Sequence, residues 1–154
     1  MLFRSELPKI SGTAKDGQTL SASTGAWEGT PTISYAYQWQ RCDSLGANCA
    51  AIALATAQTY NAVPADVGST LRVAVTASNA AGSSAPAVSG QSGVIGPSAP
   101  SNTELPKISG TPKDGQTLSA STGTWTGTPP LSYSYEWQRC DSSGANCAAI
   151  SAAE

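Results

Sequence analysis

The chain has 154 residues, 12% of them charged, with a formal net charge of −2 and no histidine. So weak and mixed a charge argues against a nucleic-acid or anionic-membrane partner, and no apolar run is long enough to span a bilayer. Gly, Pro, Ser, Thr and Ala dominate, but the spaced Trp and Tyr residues set the chain apart from a disordered linker.

Residues 1–6 form a lead-in. They are not a signal peptide, because no apolar stretch follows Arg4. "LPKIS" at 7–11 predicts a short edge strand with a proline near its start. After the turn signal "KDG", "GQTLSAST" predicts a second strand. "ISYAYQWQRC" at 33–42 alternates, with Tyr35, Tyr37 and Trp39 on one face and Ser34, Ala36, Gln38 and Gln40 on the other. "CAAIAL" reads as its paired strand, and "QTYNAV" as a short strand leading into "PADVGS". "TLRVAVTASN" at 70–79 places Leu71, Val73, Val75 and Ala77 on one face. "AAGSSA" reads as a turn, and "AVSGQSGVI" at 87–95 closes the series. The expected core is Tyr35, Tyr37, Trp39, Leu71, Val73 and Val75. No segment reads as a helix.

Residues 7–52 and 105–150 are one segment written twice, 98 residues apart and identical at 38 of 46 positions. A period near 100 is too long for a solenoid unit and suits a complete β-sandwich of immunoglobulin size. The expected organisation is a complete unit at 7–95, a Pro/Ser-rich linker at 96–104, and the first half of a second unit at 105–154. The copies also act as an internal mutation series. Along the third strand they differ as Ala36 against Ser134 and Gln38 against Glu136, both on the even face. The odd face recurs unchanged as Tyr133, Tyr135 and Trp137, which marks it as the core side.

A strand with a central Trp, followed by "ADVGSTLRVAVTASNAAG", resembles the bacterial immunoglobulin-like repeats that occur in tandem in large secreted and cell-surface proteins of actinobacterial type. The resemblance covers the first unit and the first half of the second. It implies an all-β immunoglobulin-like sandwich, with Trp39 as the core tryptophan and an Asp-x-Gly turn at Asp66 and Gly68. Two features depart from antibody-type domains. No cysteine lies in the second or sixth strand to link the sheets, and Leu71 stands where a tyrosine corner would lie. Such motifs specify fold well and activity hardly at all.

Cys42 and Cys49 flank "DSLGAN", and Cys140 and Cys147 flank "DSSGAN". Both pairs read as disulfides across the mouth of a hairpin, which implies an oxidising compartment and hence an extracellular or cell-surface location. Two cysteines per unit and no histidine make a poor zinc site, and one carboxylate in each loop is too few for calcium. No metal or other cofactor is expected. Catalysis is not expected either. There is no histidine and no nucleophile or phosphate motif, and Glu28 is replaced by Thr126 in the second copy.

Two binding readings remain. Trp27 and Trp125 lie in apparent loops, "TGAWEG" and "TGTWTG", where they either cap the core or stack on a surface glycan. The second copy of 7–52 also lacks a counterpart of 53–95, so Tyr133, Tyr135 and Trp137 form a candidate assembly face. Either the segment belongs to a longer array, or it packs against a neighbouring chain by strand addition or face covering. The expected role is therefore non-catalytic: a stalk, adhesin segment or filament subunit whose partners are itself or neighbouring repeats. A carbohydrate-binding module is the alternative.

Overall fold

The computed structural model describes residues 2–153. They fall into two compact units, Met1–Ala99 and Pro100–Glu154, and are all-β apart from one 3-10 turn at Pro64–Asp66.

The first unit contains β1 (Phe3–Glu6), β2 (Ile10–Ser11), β3 (Thr19–Ala22), β4 (Ala26–Glu28), β5 (Ser34–Cys42), β6 (Ala50–Ala51), β7 (Thr59–Asn61), β8 (Thr70–Asn79), β9 (Gly82–Ser83) and β10 (Ala87–Val88). Strands β2-β3-β7 make one sheet. A second runs β10-β8-β5-β6, with β9 on the end of β8, and β1 pairs with β4 alone. The spine is the antiparallel β5–β8 ladder, in register from Ser34↔Ser78 to Cys42↔Thr70. Its pleat sets Tyr37 opposite Val75, Trp39 opposite Val73 and Arg41 opposite Leu71. Trp39, Leu71, Val73, Val75 and Ala77 are fully covered. Leu20 and Ala22 of β3, with Ile95, close the same core from the other side. Two sheets that share one apolar layer are consistent with a β-sandwich. Burying each large side chain there stabilises the fold by roughly 1.5–3 kcal/mol.

Tyr35 does not join that core. It is 37% exposed and lies outside the packed cluster, while Tyr37 is half-buried against it. The cause is a mismatch of lengths. β5 and β8 have nine and ten residues, whereas β2, β3 and β7 have two, four and three. The long ladder outruns the layer that would cover its Tyr35 end.

The expected closing strand at 87–95 is regular only over Ala87–Val88. Beyond it, serines replace the ladder. Ser89 N donates to Val73 O, and Ser89 Oγ accepts from Val73 N at 3.0 Å. Ser92 serves Leu71 in the same way, with its Oγ 2.9 Å from Leu71 N. Each serine satisfies both main-chain groups of one β8 residue, so the buried edge keeps its hydrogen bonds without a regular strand.

The boundaries also move. The lead-in is a strand, since β1 pairs with β4. The expected linker 96–104 is divided between the units. Gly96 exchanges main-chain bonds with Ala14 and Asp16 of the first unit, while Ser101–Glu104 opens the second as β11.

The second unit contains β11, β12 (Ile108–Ser109), β13 (Ser119–Ala120), β14 (Thr124–Thr126), β15 (Gln138–Arg139) and β16 (Ala148–Ala149), in three separate two-stranded sheets. Their registers repeat those of the first unit. Ser101↔Thr126 matches Phe3↔Glu28, and Arg139↔Ala148 matches Arg41↔Ala50. Gly25 and Gly123 explain one shared feature. Both have φ of 74°, and a Cβ would fall 2.3 Å from Glu6 O or 2.2 Å from Glu104 O. Only glycine lets the strand return so close to its partner. Between Leu131 and Trp137, however, no ladder forms, and no described residue of 100–153 is buried.

Candidate functional site

One concavity is formed by the second unit alone. It is an open groove of about 460 Å³ lined by Ile108, Ala120, Trp125, Tyr133, Tyr135 and Trp137 among others. Ile108 and Ala120 come from the β12–β13 hairpin, and Trp125 from β14. The last three come from the stretch without a ladder. Tyr133 is 45% exposed and Tyr135 40%, and Trp137 is half-buried. Ile108, Ala120, Tyr135 and Trp137 have counterparts in or against the first unit's core (Ile10, Ala22, Tyr37 and Trp39), whereas the counterparts of Trp125 and Tyr133, Trp27 and Tyr35, lie outside it.

Trp125 and Tyr133 form one wall, with ring centroids 6.3 Å apart and planes tilted by 59°. Trp125 lies in a strand rather than a loop, as does Trp27, and its indole Nε1 donates to Thr122 O at 2.7 Å. Trp27 makes the equivalent bond to Thr24 O at 2.7 Å and is half-buried outside the packed core cluster. The two tryptophans sit in different units.

The cysteines pair as Cys42–Cys49 and Cys140–Cys147, each with Cα atoms 4.0 Å apart. Each pair closes a hairpin tip that is organised by an aspartate. Asp43 Oδ1 accepts from Leu45 N and Ala47 N, and Oδ2 from Asn48 Nδ2 at 2.8 Å. Asp141 repeats this and gains the Ser143 hydroxyl at 2.7 Å. These donors hold the Asp43 carboxyl below its usual range. With Ser143 contributing most, they hold Asp141 down at about 2. Both oxygens of each carboxylate are thus engaged by the loop's own groups. Among the described residues no cluster of three metal-ligating side chains occurs.

One polar network escaped the sequence reading. Asp66 is completely buried. Its Oδ1 accepts from Arg41 Nε at 2.6 Å, and a second guanidinium nitrogen completes the ion pair. Its Oδ2 accepts from Tyr60 Oη and Val63 N, both at 2.9 Å. Burial first, and the bond to Asp66 second, push the Tyr60 hydroxyl up to about 12. Tyr60 also stacks on Trp39 at 5.8 Å. The signal was parity. Arg41 continues the odd row of Tyr35, Tyr37 and Trp39, and a charge on a core face needs a buried partner. The second unit holds Arg139 at the matching position, exposed and without an ion pair among the described residues.

Compared with family models, curated proteins and solved structures, the chain matches none. Among the described residues no helix is long and apolar enough to cross a membrane.

Proposed function

We propose that this chain is a non-catalytic, exported structural segment of the immunoglobulin-like repeat kind, and that its second unit is completed by a strand segment of the kind that residues 53–95 supply to the first. The observation that carries this reading is a pair of environments. Leu20 and Leu118 sit in the same words, "GQTLSAS", yet Leu20 is 1% exposed under residues 53–95 while Leu118 is 38% exposed. The second unit thus leaves open an apolar position that is covered in the first. An exposed apolar face of this kind marks an interaction surface, and strand addition is the mode that sheets with unpaired edges support. The disulfides, in turn, favour an oxidising, extracellular setting.

The test is amide hydrogen exchange across residues 131–140, alone and with a separately synthesised peptide of residues 53–97. The peptide is expected to bring strong protection to Tyr133–Trp137. Unchanged exchange would remove the complementation reading. The Trp125–Tyr133 wall supports carbohydrate binding as a second reading, because adjacent aromatic faces can stack on sugar rings. Glycan-array binding that is lost in Trp125→Ala, with no effect of the peptide, would put that reading first.

A further inference from the structure

We infer that the first unit is built to carry tension along the chain, and that the parallel contact of residues 14–16 with residues 96–98 is the clamp that holds it. The clamp gives physical content to the structural role proposed above, on which it rests, and it lies wholly within the first unit.

Every strand pair of the first unit is antiparallel. The bridge between Lys15 and Gly96 is parallel. Three hydrogen bonds join the two segments there. Gly96 N donates to Ala14 O at 3.0 Å, Asp16 N to Gly96 O at 2.9 Å, and Ser98 Oγ to Asp16 O at 2.6 Å. The segments also touch: a Cβ placed on Gly93 would lie 3.6 Å from that of Ala14. Asp16 and Ile95 are both buried, so little water reaches these bonds to compete for them.

Parallel segments run the same way, so the chain enters the first at one pole of the unit and leaves the second at the other. Pulling on the chain before residue 14 and after residue 98 therefore slides the segments past each other. Their bonds are loaded together, whereas an antiparallel hairpin pulled at its open end peels one bond at a time. The clamp is also anchored in both sheets. Behind Asp16, Gly17 N donates to Ala62 O at 2.9 Å and Ala62 N to Gln18 O at 3.0 Å, at the end of β7. Before Gly96, Ile95 N donates to Ser69 O at 2.8 Å and Gly68 N to Ile95 O at 2.9 Å, at the start of β8. The Ile95 side chain lies in the shared core. Sliding the clamp must therefore part the sheet that holds β7 from the sheet that holds β8 and open the core between them, which makes failure a single cooperative event.

The experiment holds the whole chain by its two ends and stretches it at constant force. It follows the rupture that lengthens the chain by the roughly 30 nm that an unravelled first unit spans with its disulfide intact. Wild-type chain should give one discrete rupture of that size. Ser98→Ala removes one clamp bond, and Gly96→Pro removes the Gly96 N–H while keeping its carbonyl. Each should shorten the lifetime under load at least about tenfold. Ser84→Ala is the control. Its Oγ accepts from Ala77 N at 3.1 Å, away from the clamp. It should lose as much stability in urea unfolding as Ser98→Ala, yet keep a lifetime under load within about threefold of wild type. Should Gly96→Pro fail to fold, Ser98→Ala against Ser84→Ala decides the matter. A Ser98→Ala lifetime equal to that of wild type, or equal losses of lifetime in Ser98→Ala and Ser84→Ala, overturns the clamp and leaves the structural role standing. Gradual lengthening of the wild-type chain without a rupture overturns that role as well.

Discussion

Trp39 and Trp137 stand in the same ten-residue context, "WQRCDS" preceded by alternating tyrosines, yet they have different surroundings. Trp39 is wholly covered; Trp137 is half-buried. Around Trp39 the chain runs as a nine-residue strand, while around Trp137 only Gln138–Arg139 pairs. Local sequence is nearly constant between the two, so the difference comes from what lies across from it. β5 is a strand because β8 is hydrogen-bonded along its full length. Without such a partner, the same residues keep the short hairpins, the aspartate loop and the disulfide, and lose the ladder. Alternation is thus necessary for a long strand and insufficient for it.

Truncating the two tryptophans should break this symmetry most. Trp39→Ala removes the largest side chain of a closed core and is expected to cost about 3–5 kcal/mol in urea unfolding. Trp137→Ala is expected to cost no more than about 1 kcal/mol, since that ring has little packing to lose. Comparable losses at both positions would mean that the second unit forms a closed core of its own.

A buried charge sharpens the contrast. Arg41 has Asp66 and Tyr60, and Arg139 has neither. Tyr60 titrates near 10 in an unfolded chain and at about 12 when buried beside Asp66. Between these values the unfolded chain has released the proton and the folded chain retains it. Stability from this source is therefore complete below pH 10 and drains away as pH rises towards 12. In thermal melts, wild-type protein is expected to lose stability more steeply over that window than Tyr60→Phe. At neutral pH, Tyr60→Phe should itself be less stable by about 1 kcal/mol, through loss of the bond to Asp66. Parallel slopes would show that the hydroxyl is not held in this network.

Much of this could be read from residue order, and the exceptions share a cause. The row Leu71, Val73, Val75 announces a buried strand, and the cysteine pairs announce their hairpins. Tyr35 was misplaced because alternation assigns a face without revealing how far the opposing sheet extends. β1 was missed because "FRSE" and "SNTE" share only the glutamate, and main-chain pairing with a glycine-permitted approach asks little of side chains. The Arg41–Asp66 pair was missed for a different reason. The two residues are 25 positions apart, and only the parity of Arg41 pointed inward. The open groove was legible only in outline, as the repeated odd row Tyr133, Tyr135 and Trp137. Its aromatic wall was not, because the tilted contact of Trp125 with Tyr133 depends on how β14 meets the stretch before Trp137 that forms no ladder.

The smallest expected effect lies in the two aspartate loops, which differ by one side chain that matters electrostatically. Asp43 faces Leu45, and Asp141 faces Ser143, whose hydroxyl donates to Oδ1 at 2.7 Å. That hydroxyl is the largest of the contributions that hold Asp141 at about 2, and Asp43 is lowered chiefly by the Ala47 amide. Exchanging the residues should exchange the behaviour. Ser143→Leu is expected to raise the Asp141 midpoint, and Leu45→Ser to lower that of Asp43, as followed by carboxyl carbon shifts in an NMR titration. Because a depressed carboxyl stabilises the folded loop above its unfolded value and loses that benefit as pH falls towards 2, Leu45→Ser should also leave the first hairpin slightly more resistant to acid. Asp141 is exposed and Asp43 only half-buried, so the change in stability stays small even where the midpoint moves clearly. A midpoint that ignores Ser143→Leu would assign the depression to the main-chain amides and Asn146 alone, and the two loops would then be equivalent in charge as well as in shape.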